Sequence, residues 1–389
     1  MEGCEQIMRE IIFGLNNLLI KNECLSRMEE DLNDNNIEEI LLLCDDTDLD
    51  DIKLSIKKSN IIDKDMKLKV YTLDKFAARY INNYGDKRLT MISDEQAKVI
   101  ITHAIFNILD KLKLYTNINQ AFIDKAIKTI FLLKQNCITP NELEFYNTLN
   151  KDLAIKIEDI HCIYKEYEKL KQGRLLDKYD KINYFSSLIK DNNNRRSIYL
   201  YKNINLKEYE LKAISSITYN HITVCVNADD ISELSFKENN HFFKSYQFVY
   251  KLIRHLNLTL NSFKITHLNK KAFLSDELNM ISTDLYKHPF STYTSKTSDI
   301  FVLEAETMHE EISMLADILK QYETKHNSIS ITVRSINDYK KIIHREFSKR
   351  NILYWTQESI NQNTQPILKI LKILLNDNLN IKKYLAMLK

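Results

Sequence analysis

The 389-residue sequence predicts an α/β protein: a parallel sheet carrying a helical insertion, followed by the start of a second α/β domain. Three observations predict this class. Short apolar runs rich in β-branched residues alternate with helical stretches, which is typical of parallel sheets with crossover helices. A long middle region shows helical spacing without comparable strands. Only 4 Gly and 3 Pro interrupt the chain, which favours long helices joined by polar turns.

Seven apolar runs have the length and composition of buried strands. They are Ile11–Phe13, Ile40–Leu43, Leu68–Tyr71, Ile198–Tyr201, Ile222–Val226, Ile300–Leu303 and Ile329–Val333. The first five belong to the first α/β domain, and the last two open the second. The chain ends before a second sheet could close, so we expect it to be the front part of a longer protein.

Amphipathic helices fill the region from residue 93 to residue 189. Apolar residues at helical spacing include Ala97, Ile101, Ala104, Ile105, Ile160, Ile163, Tyr164 and Tyr167. We therefore predict four segments: residues 1–85 and 193–295 as the two parts of the first α/β domain with a linker, 86–192 as the helical insertion, and 296–389 as the incomplete second domain.

Composition limits the possible classes of function. The formal net charge of +2 creates no strong global field, so any nucleic-acid binding must use a local basic groove. Six scattered cysteines without a C-x-x-C pair predict free thiols in a reducing cytoplasm rather than a zinc or disulfide framework. No run approaches the ~20 apolar residues of a membrane span. No secretory signal pattern is present either.

The sequence lacks a phosphate-binding motif at the first strand-to-helix connection, where this fold would carry one. A strand ends at Gly14 and runs into a helix, and a phosphate-binding loop would require Gly, Lys and Ser or Thr at positions 19 to 21. The sequence has Leu19, Ile20 and Lys21 instead. We therefore predict a degenerate nucleotide site at Gly14, Leu19, Ile20 and Lys21, without ATP hydrolysis.

The sequence predicts no catalytic residue and no metal ligand. His309, Glu310 and Glu311 are adjacent on a helix and point in different directions, so they cannot converge on one ion. The acidic run from Asp45 to Asp51 lacks the Gly and the closing Glu of a calcium loop, and we interpret it as a solvated loop. No Ser-His-Asp or Cys-His pairing can be argued from the chain.

Three segments together carry a family resemblance. Residues 70–81 (VYTLDKFAARYI) resemble the early strand-then-helix segment of superfamily-one helicases. Residues 301–355, with FVLEA, ITVR and ILYW, are similar to the opening of the second motor domain of AddB/RexB subunits of bacterial ATP-dependent helicase-nucleases. Between them, Tyr164, Tyr167, Gly173, Asp177 and Tyr184 resemble the end of that family's helical insertion.

The resemblance implies RecA-like (P-loop NTPase-like) domains in a subunit that resects broken DNA ends with an AddA/RexA-type helicase-nuclease partner. It implies DNA, as single strands or duplex ends, as a further partner. Some relatives, of the RexB type, lack the P-loop. A second departure agrees with that type: Lys202 and Asn203 stand where a motor would hold Mg²⁺ with acidic residues. The family's nuclease and iron-sulfur cysteines lie beyond this chain, which implies no cofactor here.

Five residues are candidates for DNA contact. Thr72, Lys75 and Arg79 bring a hydroxyl and two cations near the start of one helix, although Lys75 and Arg79 could equally form a solvated helix face. Arg334 follows a predicted strand and could touch a ligand or form a structural salt bridge. Trp355 could stack on a base or lie in the core.

Two functions of different classes remain open at this point. The first is a DNA-end-processing subunit that binds DNA and its helicase partner without hydrolysing ATP. The second is an inactive helicase-like scaffold, or a split-gene product, that mediates only protein contacts. A working superfamily-one ATPase with unrecognised motifs is a third and weaker hypothesis.

Overall fold

A computed structural model of the chain describes residues 7–59, 67–113, 119–144, 150–190, 195–229, 231, 242–268, 275–284, 292–295, 300–322 and 329–355. The chain divides into two compact units, residues 1–299 and 300–389. The strands among the described residues are β1 (Met8–Gly14), β2 (Glu39–Cys44), β3 (Leu68–Tyr71), β4 (Thr90–Met91), β5 (Leu175–Leu176), β6 (Arg196–Tyr201), β7 (His221–Asn227) and β8 (Lys264–Leu268).

The α-helices of the same residues follow in chain order. They are α1 (Asn17–Asn33), α2 (Asp46–Lys58), α3 (Leu73–Tyr84), α4 (Asp94–Asn107), α5 (Gln120–Gln135), α6 (Pro140–Glu144), α7 (Lys151–Leu170), α8 (Lys178–Ile189), α9 (Glu208–Ser215), α10 (Phe243–His255), α11 (Asp276–Asp284), α12 (Met308–Tyr322) and α13 (Ile336–Lys349). No helix in this part of the chain is long and apolar enough to cross a membrane.

A six-stranded parallel sheet forms the centre of the first unit, in the order β3-β2-β6-β7-β1-β8. β4 and β5 form a separate two-stranded pair. The five strands predicted before residue 227 are all present in the large sheet, so the predicted α/β class with a parallel sheet is confirmed. β8 was missed because Lys264–Leu268 interleaves polar residues with apolar ones, as an edge strand with only one neighbour can.

Both faces of the sheet are covered by helices, which explains why its central strands are apolar throughout. On one face, residues such as Ile11, Leu41 and Leu200 pack in a core shared with α3, α8, α9 and α10. On the other face, Ile12 and Leu42 alternate with them and pack against α1 and α2. Because both faces are buried, polar side chains are left mainly to the ends of the strands.

The helices predicted in the middle of the chain are present as α4, α5 and α7, which share a separate apolar core. A buried cluster of charges joins this helical region to α8. The ammonium group of Lys134 on α5 lies 2.6 Å from Asp177, 2.8 Å from Asp180 and 2.8 Å from Glu168. The ammonium group of Lys171 contacts the same three carboxylates, and we call these five residues the ion cluster.

The second unit differs from its prediction. Its described residues contain α12 and α13, which pack through Ile312, Ala316, Ile343 and Phe347. The predicted strands at 300–303 and 329–333 are irregular chain, so these two predictions are wrong. A strand needs a hydrogen-bonded neighbour. None is described in this unit, and Val302 is 92% exposed.

A histidine at the amino edge of the sheet makes stability depend on pH. His221 Nδ1 lies 2.9 Å from Asp31 Oδ1, and Tyr199 donates to the other oxygen of Asp31 at 2.7 Å. The hydrogen bond to Asp31 raises the pKa of His221 above its ordinary value of 6.5. A raised folded-state pKa stabilises the protein below the unfolded value, and this contribution is lost as the pH rises through the folded value.

We therefore expect the variant His221→Gln to be less stable than the wild-type chain by about 1 kcal/mol at pH 5.5. The difference should shrink to near zero at pH 9, where the wild-type imidazole is also neutral. Urea denaturation of both proteins at several pH values measures it. An equal difference at all pH values would contradict the assigned charge on His221.

Candidate functional site

The carboxyl edge of the sheet is where open α/β folds bind ligands. Here the connection after β1 is only two residues long, which is shorter than a P-loop. β1 ends at Gly14, and α1 begins only three residues later. The Oδ1 atom of Asn16 accepts hydrogen bonds from the backbone N–H groups of Leu18 (2.9 Å) and Leu19 (3.3 Å). Two of the amides that would face a phosphate are therefore capped by the chain itself.

The side chains that follow this turn are also engaged in the protein. Ile20 is fully buried in the core beneath the sheet. The side chain of Lys21 is engaged elsewhere, because its Nζ atom lies 3.0 Å from the carboxylate of Asp51 on α2. Gly14 fits closely beside β8, where an added Cβ would lie 3.2 Å from Leu268. The prediction that this region binds no nucleotide stays a prediction, and the geometry supports it.

A lysine stands at the end of β6, where a motor would place its metal-binding acids. Lys202 has a left-handed backbone (φ 53°), and its ammonium group lies 5.2 Å from the centre of the Tyr201 ring. Burial lowers the pKa of Lys202. Its nearest carboxylate partner is Asp48, at 3.8 Å. A cation in this position repels Mg²⁺ rather than binding it.

The acidic run from Asp45 to Asp51 is not the solvated loop that we predicted. It forms the start of α2, with Asp45 at the N-cap position. Carboxylates are favoured there because the N-terminus of a helix carries a partial positive charge. These side chains bind lysines of neighbouring segments, as in the contacts of Lys21 and Lys202 and in the 2.7 Å pair between Asp46 and Lys75.

The structure places Thr72, Lys75 and Arg79 along α3 in different environments. Thr72 is buried and caps α3 by accepting from the N–H of Lys75 at 3.4 Å. Lys75 is exposed and bound to Asp46, and this contact raises its pKa. Arg79 lies one turn further along α3, where its guanidinium is 5.6 Å from the centre of the Tyr71 ring and donates to the Tyr71 hydroxyl. Thr72 is therefore buried away from solvent, whereas Lys75 and Arg79 are both exposed and lie four residues apart on α3.

Arg334 and Trp355 lie in the second unit. Arg334 is exposed on irregular chain, and within the described residues no carboxylate pairs with it, so the predicted salt bridge is not found there. Trp355 is 80% exposed, which shows that the core interpretation was wrong. Beside it, the Tyr354 hydroxyl lies 3.1 Å from His344 Nδ1 and its ring packs edge-on against Phe347.

The described residues contain one group of three carboxylates close enough to hold a metal ion: Glu168, Asp177 and Asp180 of the ion cluster. The ammonium groups of Lys134 and Lys171 occupy the space between them. These donors are therefore already neutralised, and we assign no metal to them. The acidic pair Glu310 and Glu311 does not converge, as expected, because Glu311 accepts from Tyr339 at 2.9 Å while Glu310 accepts from the N–H of Glu306.

A second polar site was not predicted from the sequence. At the start of β2 and β6, the buried guanidinium of Arg196 donates to Glu39 at 2.7 and 3.0 Å, and Lys69 contacts the same carboxylate at 2.7 Å. These residues line a cleft together with Arg79. Arg196 lies 157 positions from Glu39, so no local pattern could have joined them.

Comparison with known proteins places the chain among proteins of one family. A family model described as "ADDB, N-terminal" matches residues 20–282. The chain is also similar to proteins whose names describe a subunit of an ATP-dependent helicase/deoxyribonuclease. The one from Listeria welshimeri is 23% identical over 285 residues, or 69% of this chain and 24% of the relative. The one from Clostridium perfringens is 22% identical over 327 residues, or 77% and 27%.

A third relative with the same name, from Thermoanaerobacter sp., is 19% identical over 364 residues, which cover 89% of this chain and 31% of the relative. The chain thus spans about a quarter to a third of the length of these relatives. Because the family model covers more than half of the chain and the fold has the expected parallel sheet, this protein belongs to the AddB N-terminal family.

Proposed function

We propose that this chain is the helicase-like N-terminal region of an AddB/RexB-type subunit that acts in double-strand-break repair and recombination. It binds DNA and an AddA/RexA-type partner subunit in the cytoplasm, and it does not hydrolyse ATP. The observation that carries the proposal is the capped two-residue connection after β1 within an AddB-family chain. Lys202 at the end of β6 supports it, since it stands in place of a metal-binding carboxylate.

Fluorescence anisotropy of a labelled single-stranded oligonucleotide tests this function over a salt series, with and without ATP. We expect binding that weakens steeply with salt, because phosphate contacts release counterions. We expect no effect of ATP and no phosphate release. The absence of binding at low salt would favour the scaffold function, and an ATP-dependent change would show that the nucleotide site is functional.

Trp355 offers a sharper test of DNA contact. If its exposed ring stacks on a base, Trp355→Ala should weaken binding by about 1–3 kcal/mol. Leu353→Ala is the matched control, since Leu353 is 97% exposed and lies two residues away. Equal affinities of the two variants would remove Trp355 from the DNA-binding candidates.

A further inference from the structure

The cleft beside the edge strand β3 has the chemistry of a phosphate site. We define the cleft by the residues that line it, which are Glu39, Lys69, Tyr71, Phe76, Arg79, Tyr80, Asn83, Tyr84 and Arg196. Its volume is about 390 Å³, including space open to solvent. Glu39 and Arg196 place one end of the cleft at the amino ends of β2 and β6, and the cleft extends beside β3 to Tyr71.

Charge in the cleft is strongly unbalanced. Lys69, Arg79 and Arg196 bring three cations, and Glu39 is the one carboxylate among the lining residues. Arg196 and Lys69 both contact Glu39, which neutralises it and leaves a net charge of +2. A concave surface with low-dielectric walls concentrates such a field and attracts anions.

The floor of the cleft contains a buried guanidinium with an unused donor. Arg196 is 1% exposed, and its Nε and Nη2 atoms donate to Glu39. Its Nη1 atom is buried and has no hydrogen-bond partner in the described chain. An unpaired buried donor is costly, and native proteins usually compensate it with a ligand, ion or water.

The mouth of the cleft adds an accessible cation and an aromatic ring. Arg79 is exposed and contacts the ring and hydroxyl of Tyr71, and no carboxylate pairs with it among the described residues. This geometry leaves guanidinium donors for an anion. Tyr84 is 62% exposed, and its ring lies 4.7 Å from that of Tyr80. Exposed aromatic rings beside cations are typical of surfaces that bind single-stranded nucleic acids.

We propose that this cleft binds a nucleotide unit, with its phosphate held by Arg79 and Lys69 above the buried charge of Arg196 and its base against Tyr84. The phosphate can come from a DNA strand or from a free mononucleotide. The inference deepens the proposed function by locating a contact beside the edge strand β3. If the phosphate belongs to a DNA strand, the inference rests on that proposed function.

Protection of Arg79 from phenylglyoxal tests the site directly, with modification read by mass spectrometry of the full chain. The probes are inorganic phosphate, thymidine monophosphate and a single-stranded oligothymidylate. We expect Arg79 to be protected at least about fivefold by the bound nucleotide unit. Arg88 is the internal reference, because it is exposed and lies outside the cleft. If the oligonucleotide protects Arg79 at a lower total phosphate concentration than the small molecules do, the natural ligand is a DNA strand. If the small molecules protect Arg79 at the lower concentration, the natural ligand is a mononucleotide.

Oligonucleotide binding by variants gives the second measurement. Arg79→Gln should lower the salt slope by about 0.7, the share of one phosphate contact on a single strand. Tyr84→Ala should weaken binding about fivefold with an unchanged slope. Lys128→Gln on α5, an exposed lysine outside the cleft, is the charge-matched control and should change neither quantity.

The outcomes separate the cleft from the wider function. If the oligonucleotide binds but neither it nor the small molecules protect Arg79, the cleft proposal is overturned and the proposed function stands. If phosphate or mononucleotide protects Arg79 while no oligonucleotide binds, the cleft proposal stands and DNA binding by this chain does not.

Discussion

Replacing Lys134 with methionine should lower the free energy of unfolding of the first unit by about 3–5 kcal/mol, the typical cost of removing one partner from a buried ion pair. Methionine keeps most of the side-chain length but removes the charge. Glu168, Asp177 and Asp180 would then face Lys171 alone. In the wild-type chain, burial opposes the charge on Lys134, but the three carboxylates outweigh it and raise its pKa.

Acid titration provides a second signature of the ion cluster. Burial tends to raise the pKa of Asp177, but the ammonium groups of Lys134 and Lys171 outweigh this and hold it well below its usual range. A depressed folded-state pKa stabilises the protein above the unfolded value, and this contribution is lost as the pH falls through the folded value. Without Lys134 the pKa of Asp177 should be less depressed, so the variant loses less stability in acid than the wild type does. The difference in free energy of unfolding between the two proteins should therefore narrow as the pH falls.

Urea denaturation followed by circular dichroism at pH 7 and at several pH values from about 4 down to about 2 measures both effects. Lys128→Met is the matched control, because this lysine lies on the exposed face of the same helix. We expect it to change stability by less than about 0.5 kcal/mol. A loss below about 1 kcal/mol for Lys134→Met would show that Lys134 contributes little to holding the helical region against α8.

Replacing Arg196 with methionine should also cost about 3–5 kcal/mol at pH 7. The substitution leaves the carboxylate of Glu39 at the start of β2 without its main partner. In the wild-type protein, burial alone would raise the pKa of Glu39. The neighbouring cations of Arg196 and Lys69 outweigh burial, so the pKa of Glu39 lies below 4.5. Without Arg196, Glu39 should titrate at higher pH, so the stability difference should narrow below about pH 4.5.

Lys69→Met is the matched control for this prediction, because it removes the other cation bound to the same carboxylate. Lys69 is 42% exposed, whereas the Arg196 side chain is 1% exposed. An exposed pair contributes only about 0–1 kcal/mol because water solvates and screens its charges. If both variants lost the same free energy of unfolding, the buried pair of Arg196 and Glu39 would not be the stronger of the two contacts.

Local patterns in the sequence were enough to predict much of this protein. The runs at 40–43 and 198–201 predicted buried parallel strands because a strand covered on both faces must be apolar at every position. Apolar residues at helical spacing predicted α4 and α7, because a helix that packs against a core is apolar along one side. The pattern at Leu19 and Ile20 led to the prediction that no phosphate binds after β1, which stays a prediction. The ordered resemblance predicted the AddB family that the comparison shows.

Other features depended on contacts between distant parts of the chain. The apolar runs at 300–303 and 329–333 looked like strands, but composition alone cannot supply the hydrogen-bonded neighbour that a strand needs. The exposure of Trp355 likewise depended on packing. The ion cluster joins Lys134 to Asp177 across 43 residues, and the cleft joins Glu39 to Arg196 across 157. Such charges meet only after the sheet and helices have packed, because burial and pairing are properties of the folded chain and leave no periodic signal in the sequence.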